Sequence, residues 1–138
     1  MKTVNKSASR NKNTAGNRLH PSESEEQQTL FAWARWNEKK YPELAWLLHV
    51  PNGGLRNIPE AVRFKKEGVR AGFPDCILPV ARHGYHSLAI ELKRQKGASF
   101  TISKEQKAWL DYLNAQGWCA VVCHGASEAI ERIKWYLN

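Results

Sequence analysis

The chain has 138 residues, with 21 Lys and Arg against 13 Asp and Glu and a formal charge of +8. That length suits one domain, and 42% hydrophobic residues with six tryptophans exclude a wholly disordered chain. Residues 1–20 hold Lys2, Lys6, Arg10, Lys12 and Arg18 and no acid, so the charge divides into a basic arm of +5 and a body of +3.

No apolar run approaches the ~20 residues of a membrane span, and residues 1–20 lack the apolar stretch of a signal peptide. The three cysteines, Cys76, Cys119 and Cys123, sit in apolar surroundings and suggest reduced core thiols. A cytoplasmic protein with no membrane attachment is the expectation. Cys119 and Cys123 fall on one predicted strand, about 13 Å apart, too far for one tetrahedral zinc site.

In chain order, residues 1–21 are rich in Lys, Asn, Ser and Thr and read as a flexible basic arm, with a single domain following over 22–138. Ser22 or Ser24 caps a first helix whose first turn carries Glu23, Glu25 and Glu26. That helix ends before Pro42. Leu44–Val50 reads as a buried strand, stopped by the turn Pro51-Asn52-Gly53-Gly54. Ile58–Lys66 is a second helix, with Pro59 in its first turn and Gly68 past its end. Asp75–Val80 is a strand, Arg82-His83-Gly84-Tyr85 a hairpin turn, and Ser87–Lys93 the returning strand. Ser103 opens a helix to about Gln116, with Gln106 at the capping-box position. Trp118–Cys123 is the last strand, and Ser127–Leu137 the last helix. The middle strand, helix and last strand have the length of a parallel crossover, whereas the preceding pair is antiparallel. The result is an α/β domain with a mixed four-stranded sheet flanked by helices.

The chemistry concentrates in two short stretches. In the strand over 87–93, Leu88, Ile90 and Leu92 point one way, and Ala89, Glu91 and Lys93 the other. Asp75, one of only two aspartates, opens the preceding strand, so the hairpin brings it alongside Glu91. Two converging carboxylates repel, and a hard divalent cation with oxygen ligands and retained waters relieves that repulsion. A lysine beside them supplies positive charge for an attacking water. Metal plus lysine suits phosphodiester hydrolysis, whose transition state gathers charge on phosphate oxygens.

Pro74-Asp75 followed by Glu91-Leu92-Lys93 is similar to the signature of PD-(D/E)XK nucleases. More closely, the chain from about Glu23 to Leu137 resembles a standalone VRR-NUC domain of the type common in phages and bacteria. The pieces that carry the resemblance are Glu25-Glu26-Gln27, Pro51-Asn52-Gly53-Gly54, Lys66 through Asp75, Ile90 through Lys93, Ser103 through Gln106 and Gly125 through Ile130. It implies a restriction endonuclease-like αβββαβ core. It implies that Asp75 and Glu91 bind Mg²⁺ or Mn²⁺ with the Leu92 backbone carbonyl, and that Lys93 assists the water. Glu26 matches an additional acid of the family. Glu23 and Glu25 are close competitors, but a helix puts Glu26 on the side of Leu30 and Trp33, which points inward. Gln106 matches a glutamine behind the active site and also serves as capping-box partner of Ser103. Asn52 and Gly53 match a loop that lines the site.

Arg56, Arg63, Lys65, Lys66 and Arg70 bracket the second helix, and Arg94 and Lys96 follow Lys93, so these side chains are candidates to grip DNA phosphates. No recognition helix or zinc finger is present, which favours reading of DNA shape over base sequence. The resemblance implies structure-selective endonuclease cutting of branched DNA, including Holliday junctions, leaving a 5′-phosphate and a 3′-hydroxyl. A two-fold junction cut in pairs implies a homodimer. Trp36, Trp46 and Trp135 are candidates for its interface, although burial is the commoner fate of tryptophan.

Overall fold

The computed structural model describes residues 19–51, 57–98 and 101–138. Most of the basic arm, together with Asn52, Gly53 and Arg56, lies outside the described residues.

Ser22 caps the first helix, α1 (Glu23–Trp36), in a reciprocal capping box with Glu25, and the helix buries Leu30 and Ala34. The expected strand over 44–50 is replaced by a 3-10 turn, Pro42–Trp46, and a two-residue strand, β1 (Leu48–His49). The reason is spacing. Leu44 and Leu47 both enter the core, and residues three apart eclipse on a 3-10 helix, whereas on a strand they would point to opposite faces.

The second helix, α2 (Ile58–Lys66), is capped by Asn57 and buries none of its residues. β2 is short (Cys76–Leu78), because Pro79 brings no donor to a ladder. The hairpin turns through His83 and Gly84, both in the left-handed region that a two-residue turn between twisted strands requires. β3 (Leu88–Lys93) is buried along its whole length. Next come α3 (Lys104–Ala115), β4 (Cys119–His124) and α4 (Gly125–Leu137). The last helix starts two residues earlier than expected, directly off the strand.

Strand order is β1-β2-β3-β4, with the first two pairings antiparallel and β3–β4 parallel. This is the restriction endonuclease-like mixed sheet. Its two faces differ. Leu88, Ile90 and Leu92 pack with α1 and α4 in the larger core, around Leu30, Ala129 and Ile133. Ala89 packs with Leu113 of α3 in a smaller one, beside Phe73 and Trp109. The three cysteines are buried free thiols. Trp36 and Trp46 stand 87% and 69% exposed, against the usual fate of tryptophan, and Trp135 is exposed as well. No helix among the described residues is long and apolar enough to cross a membrane.

Candidate active site

The alternation of β3 puts Glu91 and Lys93 on the same face as Ala89, the face that α3 covers. The β2–β3 register pairs Cys76 with Ile90, so one step further it sets Asp75 opposite Glu91. Asp75 Oδ2 accepts a hydrogen bond from the Leu92 backbone N–H at 2.7 Å. In an extended strand the N–H and C=O of one residue face the same neighbour, so the Leu92 carbonyl lies on that edge too.

Glu91 is 2% exposed and Lys93 6%. Lys93 Nζ lies 3.4 Å from Glu91 Oε1 and 3.8 Å from Glu23 Oε1. Gln106 binds the group together. Its Nε2 donates to Glu91 Oε1 at 2.7 Å, and its Oε1 accepts from Lys93 Nζ at 3.2 Å and from the Ser103 N–H at 2.8 Å. The capping role and the site role therefore coexist in one side chain. Gly72 makes this possible. Its φ is +90°, and a Cβ there would stand 2.6 Å from the Glu105 carbonyl carbon, so only glycine lets this loop press against the start of α3.

Burial, followed by the neighbouring Asp75 charge, pushes the Glu91 carboxyl from 4.5 up to about 8. Burial also raises Asp75, against the opposing pull of the Leu92 N–H and of His49. These acids are thus poorly stabilised as anions by the protein alone. That fits a hard cation, as does the donor set of oxygens only. Among the described residues no group of three or more His, Cys, Asp or Glu converges as a metal cage. A cation held by two carboxylates and a carbonyl would keep several waters, as Mg²⁺ does.

The acids open onto a cleft of about 520 Å³ whose rim includes Glu23, His49, Gly72 and Gln106. Glu26 is not there. Its carboxylate accepts from the Ala126 N–H at the start of α4 and from Gln95 Nε2, on the opposite face of the sheet from Glu91. The inward side of α1 faces α4, so pointing inward carries Glu26 away from the acids. Glu25 is spent on the cap, accepting from the Ser22 N–H. Glu23, at the very start of the helix, is the acid of that turn on the cleft.

Arg94 is likewise engaged elsewhere, donating to the backbone carbonyls of Pro21 and His20. Arg63, Lys66, Arg70 and Lys96 are exposed, and Arg63 lies 3.8 Å from Glu67. His49 was not anticipated. Its Nδ1 sits 2.8 Å from the Asp75 carbonyl oxygen, but a lone histidine on a two-residue strand leaves no pattern in the sequence.

With this geometry in place, comparison with known proteins decides the family. The model of the VRR-NUC domain matches residues 11–127. The chain belongs to the VRR-NUC family. VRR-NUC domains are PD-(D/E)XK-like nucleases. A solved structure of a VRR-NUC domain protein is similar at 32% identity with a TM-score of 0.71, over 85% of this chain and 88% of that one. Among curated proteins nothing matches.

Proposed function

We propose that this VRR-NUC domain is a Mg²⁺- or Mn²⁺-dependent DNA endonuclease that prefers branched DNA such as Holliday junctions and acts as a homodimer. The observation that carries the reading is the set Asp75, Glu91, Lys93 and Gln106, gathered from β3, α3 and the segment leading into β2 into one open cleft. When bound, the cation supplies Lewis-acid charge against the phosphate oxygens. Asp75, Glu91 and the Leu92 carbonyl are the groups that would hold it. With two carboxylates converging among the described residues, the donor set suits one cation better than two.

The remaining roles belong to the chain itself. Lys93 presents its ammonium to the cleft and orients the attacking water for an in-line approach to phosphorus. Gln106 fixes Lys93 against Glu91, so the ammonium is positioned before substrate arrives. Exposed Arg63, Lys66, Arg70 and Lys96 favour phosphate contacts around the cut. The exposed tryptophans Trp36 and Trp46 favour a partner surface, in keeping with a dimer. Among the described residues no base-reading element accompanies them, which supports recognition of DNA shape.

The test is Mn²⁺-supported digestion of duplex, branched and single-stranded DNA and of RNA by wild type, Asp75→Ala and Lys93→Ala. Wild type is expected to cut branched DNA fastest, and both variants to fall by at least about 100-fold. Equal cutting by all three would refute the assignment. Salt-sensitive DNA binding without metal-dependent turnover would make the chain a binding module instead.

A further inference from the structure

A second concavity lies on the α3 side of the molecule, between α2 and α3, with a volume of about 950 Å³. Its floor and walls include Phe64, Trp109 and Tyr112, and Lys65 and Arg70 stand at its edge beside Glu105. We infer that this groove holds an unpaired nucleotide of the substrate, stacked on its aromatic wall, next to the phosphate that is cut. The inference rests on the nuclease reading and adds to it a nucleotide-binding subsite between α2 and α3, outside the catalytic cleft.

Three observations support it. First, the aromatic wall is both rigid and open. Trp109 Nε1 donates to the Ala71 carbonyl at 3.1 Å, and Phe73 meets the indole edge-on at 4.9 Å. Tyr112 meets Trp109 edge-to-face at 6.2 Å and 85°, and remains 58% exposed. The pinned indole braces an exposed phenol, whose ring is left open to stacking rather than closed in a core.

Second, the charge complements a nucleotide. Lys65 and Arg70 form no ion pair with any described residue, so both are available to a phosphate at the groove's edge. A purely apolar peptide would leave these cations unanswered.

Third, the groove and the catalytic cleft share a wall. Ala71 and Glu105 line the groove, whereas their chain neighbours Gly72 and Gln106 line the cleft. The partition between them is the tight Gly72 crossing over the start of α3. The two concavities are thus neighbours across a partition one residue thick in the chain on each side. Base pairs in a continuous duplex hide their ring faces in the stack, so only an unpaired base can use that wall. α2, which buries none of its residues, forms the opposite side of the groove.

The test measures binding without divalent metal, so that it stands apart from catalysis. Fluorescence anisotropy compares a blunt duplex with the same duplex carrying a short unpaired tail. The proteins are full-length wild type, Tyr112→Ala, Tyr112→Phe and Lys65→Ala/Arg70→Ala, with thermal melts to confirm folding. Wild type is expected to prefer the tailed duplex. Tyr112→Ala is expected to cut that preference about tenfold, Tyr112→Phe to restore it, and the double variant to weaken tailed binding most at low salt. Photocrosslinking from a halogenated unpaired base should mark Trp109 or Tyr112. Equal wild-type binding of both DNAs, or a Tyr112→Ala effect that is the same on both, would overturn the inference. So would a change of oligomeric state in Tyr112→Ala with tailed binding intact, which would give the groove to a second copy. Loss of cutting in Asp75→Ala with this preference retained separates the groove from the cleavage site.

Discussion

Among the described residues two glutamates are buried, on opposite faces of the same sheet, and they are treated differently. Glu26 is 4% exposed, with its carboxylate met by the Ala126 N–H and by Gln95. Negative charge at the start of α4 is also favoured by the helix dipole. Glu91 is 2% exposed and faces a second carboxylate, with only Gln106 and Lys93 to offset it. A carboxylate costs stability in a low-dielectric interior unless its partners match it. Glu26 is matched by its own chain, whereas Glu91 is left short of positive charge, the shortfall that the proposed cation would fill. Burial of an acid alone therefore does not single out the proposed site; the mismatch between Glu91 and its partners does.

The sharpest way to break this contrast is to remove each glutamate in turn. Glu91→Ala is expected to lower metal-dependent cleavage by about 100- to 1,000-fold while leaving the fold intact. Glu26→Ala is expected to cost about 1–3 kcal/mol of stability, because it strips a buried N–H of its acceptor. Cleavage per folded molecule should then change little. Chemical denaturation and single-turnover digestion read the two axes, and a large loss of turnover in folded Glu26→Ala would return that residue to the active site.

Gln106→Ala touches both sides of the comparison. It removes the anchor of Glu91 and Lys93 together with half of the Ser103 capping box. A roughly tenfold drop in turnover is expected with about 1 kcal/mol of stability. Stability loss without any change in turnover would reduce Gln106 to a cap.

The gentlest probe is pH. Unfolded, Glu91 releases its proton near 4.5, and folded without metal near 8, burial being the main cause. Between those values the unfolded chain binds fewer protons, so its contribution to stability is full below about 4.5 and is lost as pH rises through about 8. Thermal melts of metal-free wild type should therefore drift down across that window, and Glu91→Gln should drift less. Identical slopes would mean that Glu91 is ionised in the folded protein.

Much of the architecture was legible because its signals are local. Ser22, Ser103 and Gln106 announce caps, and the alternation in Leu88–Lys93 announces both faces of β3. The convergence of Asp75 and Glu91 followed from hairpin register. The apolar run at 44–50 misled because its period is three, set by Leu44 and Leu47, and apolarity alone does not distinguish a short strand from a 3-10 turn. Glu26 misled for a different reason. Helical periodicity tells which side of α1 is buried, but which face of the sheet receives that side is a tertiary fact. Arg94, tied to the carbonyls of His20 and Pro21, shows the same limit for a charge that looks free in one dimension.

The Leu92 N–H to Asp75 bond has a consequence for how the site is dissected. β2 begins at Cys76, and Asp75 just before it lends a side-chain oxygen as an extra rung of the ladder. Replacing it by alanine removes a proposed ligand and a rung together. Asp75→Asn retains a carbonyl oxygen that can accept the same bond while losing the charge. The Leu92 amide thereby becomes a built-in exchange clock. Its protection against deuterium reports whether the rung survives, whether or not a single phosphodiester is cut.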